Sequence, residues 1–166
     1  MRNLLASLAL ALLSGCGLSP MYAGGGSGMV AQSLAAIEVA PIEGRAGWLV
    51  RSALEERLGA AGQANTRYRM DVRLDDQLEG LAVLRDDTIS RERRTLRARY
   101  QLVDLATGEI VLDATDGSDA GIDVVSSEYA VIAAEQTALQ NLSQDLAQRM
   151  VTRVALALRE QGEAPQ

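Results

Sequence analysis

The pattern that most constrains this chain is a strict alternation in its middle third. From Arg67 to Leu78, Tyr68, Met70, Val72 and Leu74 fall on one parity, and Arg67, Arg69, Asp71 and Arg73 fall on the other. Successive side chains of a strand point to opposite faces, so the segment predicts a half-buried β-strand. Leu81 to Leu84 continue it after a bulge expected at Gly80, and Arg85-Asp86-Asp87 supply turn residues. A second long strand is predicted from Thr88 to Leu105, with Leu96, Ala98, Tyr100 and Leu102 on its apolar face. Thr107-Gly108 has hairpin chemistry, and Glu109 to Leu112 begin a return strand expected to loosen over Asp113 to Gly121.

Helical periods flank these strands. Val50, Leu54 and Leu58 recur every four residues between Gly47 and Ala60, with Gly59 and Gly62 marking the end. Leu139, Leu142, Leu146, Met150, Val154 and Leu158 give a longer stripe from about Ser127 to Arg159, with Ser126 or Ser127 as N-cap and Glu128 in the first turn. A short extended segment lies around Leu34 to Ile42, where Ile37 and Val39 alternate with Glu38 and Pro41 ends the run. The order strand-helix-strand-strand-strand-helix predicts an α+β fold. Two helices pack on one face of a four-stranded, mainly antiparallel sheet, and the other face stays polar and open. Residues 34–160 form this single domain, and residues 161–166 read as a disordered tail.

The N-terminus sets the compartment. Met1-Arg2-Asn3 is a short basic start, and Leu4 to Leu13 form a hydrophobic run of ten residues, half of the roughly 20 needed to span a bilayer. Residues 1–15 therefore read as a secretory signal peptide. Leu13-Ser14-Gly15-Cys16 matches the bacterial lipobox, which implies a diacylglycerol thioether and an N-acyl group on Cys16. Two or more acyl chains give stable anchoring. The alternative is an ordinary signal peptidase site beside an incidental cysteine. Gly17, not Asp, follows the cysteine, which resembles the outer-membrane sorting pattern. Residues 16–33, with Gly24-Gly25-Gly26-Ser27-Gly28, read as a flexible tether spanning roughly 20–25 Å.

Composition removes several chemistries. The chain has no His and one Cys, so it lacks the commonest general base and cannot build a multi-Cys metal site. Met29 stands where the last Gly of G-x-S-x-G or G-x-G-x-x-G would be. The spacing of Asp113, Asp116, Asp119 and Asp123 is not that of a calcium loop. No catalytic residues, metal ligands or cofactor beyond the covalent lipid are predicted. The 22 acidic residues exceed the 16 basic ones, which argues against general nucleic-acid binding.

Every basic residue is Arg, and their placement is patterned. Arg91, Arg93, Arg97 and Arg99 share the parity opposite to the apolar row of their strand, Arg85 stands at its entrance, and Arg94 lies on the other side. From Gln101 to Gln148 there is no Arg, while nine acids occur, so the sequence reads as a basic strand beside an acidic remainder. A guanidinium row on an open face suits bidentate binding of phosphate or carboxylate, in a lipid or a partner. The plainer role is a solvated face paired with acids such as Asp71 and Glu109, which also discourages edge pairing.

Taken in order, these segments resemble the LptE family of lipopolysaccharide-assembly lipoproteins. The likeness lies in Cys16-Gly17-Leu18-Ser19-Pro20-Met21-Tyr22, the Arg51 to Leu58 helix and the Tyr68 to Leu74 strand. It continues through Ser90-Arg91, Ala98-Arg99-Tyr100-Gln101-Leu102-Val103-Asp104 and Glu128-Tyr129-Ala130 ahead of an Ala-rich helix carrying Glu135. The resemblance implies a non-enzymatic outer-membrane lipoprotein on the periplasmic side that plugs an LptD-type translocon β-barrel and assists lipopolysaccharide delivery. It also implies that Arg85 and the Arg91, Arg93, Arg97 and Arg99 row meet lipid A phosphates or another anionic glycolipid. The family's later basic contribution has no match, because Gln101 to Gln148 lacks Arg and Lys. An alternative is an auxiliary lipoprotein of another envelope lipid-trafficking system, built on an ABC transporter. An anchored hydrolase would need an acid pair that the sequence does not supply.

Overall fold

A computed structural model describes residues 29–59, 65–83 and 89–163. The signal segment, Cys16, the glycine cluster and the Arg85 turn lie outside these residues. Along the chain come α1 (Met29–Ala35), β1 (Ile37–Val39), α2 (Gly44–Leu58), β2 (Tyr68–Val83), β3 (Ile89–Asp104), β4 (Ile110–Asp123) and α3 (Glu128–Glu163). The sheet order is β1-β2-β3-β4. β1 runs parallel to β2 after a crossover through α2, and the other pairs are antiparallel.

The apolar parity of β2 and β3 faces the helices as expected. Tyr68, Met70, Leu96, Ala98, Tyr100 and Leu102 are buried against Val50, Leu54 and Leu58 of α2 and the full predicted stripe of α3, Leu139 to Leu158. The β2–β3 register shifts between Gly80 and Val83, at the expected bulge. Ser127 caps α3, its hydroxyl accepting from Ala130 N–H at 3.4 Å. At the β3–β4 hairpin Gly108 takes φ +73°, and its N–H donates to the Asp104 carbonyl at 2.8 Å. Asp104 braces this turn: its Oδ1 accepts from Ala106 N–H at 2.8 Å, and Oδ2 accepts from Arg67 at 3.3 Å.

Three boundaries differ from the sequence reading. Residues 29–33, assigned to the tether, and Leu34 and Ala35, assigned to an extended run, form α1. Val30 and Leu34, one turn apart, pack on the core, too brief a period to stand out beside a glycine cluster. The helix α3 continues through Glu163, into the segment read as a tail. Most importantly, the strand that begins near Glu109 does not loosen. β4 stays paired with β3 from Ile110 to Asp123. Its Asp, Gly and Ser residues have poor strand propensity, but the long open edge of β3 supplies a hydrogen-bond template that outweighs it.

The two helices cover the sheet unequally. By helical rise α2 is about 22 Å long and α3 about 54 Å, so only α3 reaches the end where β2 and β3 join. Arg94 fastens that end: it grips Asp76 at 2.7 and 2.8 Å and donates to the Glu135 carbonyl of α3 at 3.2 Å. Leu78 and Ile132 are partly exposed there, and Glu92 has a buried Oε2 without a partner.

Candidate functional site

No described helix packs on the outer face of the sheet, and the charged parity of the strands lies there. β3 contributes Arg91, Arg93, Thr95, Arg97, Arg99 and Gln101, and the strand rise makes the Arg91-to-Arg99 row about 27 Å long. All four arginines of the row are exposed. Arg94, of opposite parity, points inward as read from the sequence.

The acids are not a separate region. Register sets Asp75 opposite Arg97 and Glu79 opposite Arg93 on β2, and Thr115, Gly117, Asp119, Gly121 and Asp123 beside the row on β4. The face is thus striped, acid-base-acid, which corrects the expected split into a basic strand and an acidic remainder. Asp113 accepts from Arg99 at 3.1 and 3.3 Å and from Gln101 at 2.8 Å. Asp123 lies 3.6 Å from Arg91. The partners named from sequence were different: Asp71 pairs with Arg69 at 3.0 Å, and Glu109 pairs with none of the row. Hydrogen bonds from Arg99 and then Gln101 hold the Asp113 carboxyl below the usual carboxylate range.

Two arginines of the row keep their guanidinium groups out of ion pairs among the described residues. Among the described residues Arg93 and Arg97 close no ion pair, nor does Arg73, which sits directly opposite Arg99 on β2. Each of two shallow basins holds one of these free cations. One, about 320 Å³, sets Arg97 among Thr95, Thr115, Ser118 and Asp119 beside Gly117. The other, about 480 Å³, sets Arg73 and Arg99 beside Asp71 and Gln101 where β1 ends at Val39. Gly117 lines the first basin, and Gly121 stands opposite Arg93 on the same face. A Cβ on Gly117 would stand 3.2 Å from Arg97 Cγ, and one on Gly121 would stand 3.3 Å from an Arg91 guanidinium nitrogen. Free guanidinium forks beside hydroxyls can take a phosphate or carboxylate bidentately.

Arg73, placed on the charged parity of its strand from sequence, was not singled out as a binding residue, and Gly117 and Gly121 were missed as parts of this face. Asp113, Thr115, Gly117, Asp119, Gly121 and Asp123 share one parity of β4, but Asp116 and Ser118 interrupt the apolar row Leu112, Ala114, Ala120 and Ile122 on the other. Among the described residues there is no grouping of His, Cys, Asp and Glu that could hold a metal ion. No described helix is long and apolar enough to cross a membrane.

The family model for lipopolysaccharide assembly, LptE, matches residues 34–154. The chain belongs to the LptE family. The match takes in β1 through most of α3, so the striped face of this LptE-family protein lies wholly within it. Solved structures share the fold. A lipoprotein of Caulobacter crescentus CB15 is 23% identical, with TM-score 0.66, over 78% of this chain and 96% of the other. A minor lipoprotein of Acinetobacter baumannii is 13% identical, with TM-score 0.59, over 72% and 90%. The rare lipoprotein B of Shewanella oneidensis is 11% identical, with TM-score 0.54, over 76% and 98%. No curated protein matches the chain.

Proposed function

We propose that this LptE-family chain is the lipid-anchored subunit of the outer-membrane lipopolysaccharide translocon. On this reading it plugs an LptD-type β-barrel from the periplasmic side, held by diacylglycerol and N-acyl chains on Cys16, and helps deliver lipopolysaccharide to the surface. The observation that carries the proposal is the family match over residues 34–154 behind a lipobox at Cys16. It favours lipopolysaccharide assembly over an auxiliary role in a transporter for other lipids.

Within the reading, Arg85, Arg91, Arg93, Arg97 and Arg99 meet anionic groups of the glycolipid or the barrel. Arg93 and Arg97 lead, because ligand contact there breaks no internal ion pair. The role is one of binding and positioning, with no turnover.

The test is purification of the tagged, Cys16-lipidated protein from gently solubilised envelopes. A near-equimolar large β-barrel in the outer-membrane fraction is the expected companion. Recovery with inner-membrane transporter proteins, or alone, overturns the proposal.

A further inference from the structure

Among the described residues β4 ends the sheet, and its outer edge is bare. Among the described residues the only strand paired with β4 is β3, and no other backbone hydrogen bond reaches Ile110–Asp123. An open edge of 14 residues is long enough to template an added strand. The edge also borders a groove of about 590 Å³ between β4 and α3. Small residues of α3, Ala133, Ala134 and Ala138, leave that space, and Ile122 and Leu142 give it an apolar floor.

Charge selects the occupant. β4 carries Asp113, Asp116, Asp119 and Asp123 and no basic residue, and of these Asp113, Asp116 and Asp123 already pair with Arg99, Arg153 and Arg91. The groove adds Asp145 from α3, again with no basic residue in its lining. Asp119 and Asp145 are exposed and close no ion pair among the described residues. A second copy joined through the same edge brings no basic residue to the exposed, unpaired Asp119, so it is the poorer occupant on charge.

We infer that the β4 edge and its groove are a docking site for an extended, basic segment of a partner protein, added to the sheet as a fifth strand. Alternation assigns its side chains: small apolar residues enter the groove over Ile122 and Leu142, and Arg or Lys lie on the outer face beside Asp119. The inference depends on neither the lipid anchor nor the barrel.

The probe is a ten-residue peptide of alternating Arg and Val, added to the purified full chain and followed by NMR-detected amide exchange. Expected is new protection of those β4 amides that do not face β3, between residues 110 and 123. A peptide of alternating Glu and Val gives none, and Asp119→Lys, on the face where its Arg side chains lie, weakens the Arg peptide at least tenfold. This position is exposed, and exchange at the core strands reports whether the variant folds. Should it not fold, the contrast between the two peptides on the unaltered chain still decides. Protection confined to β2 residues 72–83, equal binding by an Arg peptide N-methylated along the edge it presents, or no β4 protection overturns the inference.

Discussion

Single atoms set some of the tightest limits on this fold. A Cβ on Gly47 would lie 2.5 Å from the Ile42 carbonyl oxygen and 2.7 Å from its carbon, so α2 can approach the preceding loop only with glycine there. Gly47→Ala forces a backbone shift and should cost about 1–3 kcal/mol, read as a lower urea midpoint at unchanged slope. Asp104 sets an acid limit. Its carboxyl is held below the ordinary 3.8, first by the Ala106 N–H and also by Arg67. Asp113 is lowered in the same direction by Arg99 and Gln101. A depressed folded-state pKa means that the unfolded chain takes up the proton first as pH falls. The stability from both groups is therefore complete above about pH 4–5 and lost progressively below it. Urea midpoints against pH check this, with Asp104→Asn expected to lower the neutral value and flatten the acid decline.

At the scale of elements, β4 is held by a buried link as well as by its ladder. The Tyr100 hydroxyl donates to Asp116 at 2.6 Å, and Arg153 of α3 donates to the same carboxylate at 3.0 Å. Burial and the Asp116 carboxylate together push the Tyr100 phenol well above its usual range, so it remains a donor throughout the physiological range. Asp116→Ala leaves that buried hydroxyl without an acceptor and should cost about 1–3 kcal/mol. Tyr100→Phe in the same background should recover part of the loss, because it removes the stranded donor. The double-mutant cycle in urea checks both. β4 was also the element least legible in sequence. β2, β3 and α3 announce themselves because one parity or one stripe is made of large apolar residues. The inward side of β4 has Leu112 and Ile122 only at its ends, and between them Ala114, Asp116, Ser118 and Ala120, small enough to lie under α3 and too polar to register as a strand. The helix α1 was hidden for a related reason, since only Val30 and Leu34 mark it.

On the scale of the molecule, the arginine face was legible from parity alone, whereas its electrostatics were not. Which cations remain free depends on more than register: Asp75 and Glu79 stand directly opposite Arg97 and Arg93, yet Asp75 accepts from Gln77 and neither arginine closes an ion pair among the described residues, whereas Arg99 reaches Asp113. Replacing Arg93 and Arg97 with Ser should weaken binding to lipopolysaccharide-containing vesicles about tenfold or more and reduce its salt dependence. Stability should stay within about 0.5 kcal/mol, because exposed side chains that close no ion pair among the described residues are being removed. Arg91→Ser with Arg99→Ser should cost slightly more stability through Asp113 and Asp123 and less binding. Unchanged vesicle binding in both variants would remove the face from the ligand-binding reading.

The unequal reach of the two helices also bears on how the molecule opens. Where α2 and α3 both cover the sheet, separating the layers exposes the whole core and amounts to global unfolding. Beyond the end of α2, the sheet rests on the first turns of α3 alone, through Arg94, the buried Ile122 and partly exposed contacts such as Leu78 and Ile132, so its opening exposes less surface than separating the whole core. Native-state hydrogen exchange should therefore resolve two cooperative units. Amides of Met70 and Leu102 should exchange only with the free energy of complete unfolding. Those near Leu78 and Arg93 should exchange through a cheaper sub-global opening, giving one end of this single domain the freedom to rearrange while the other stays intact.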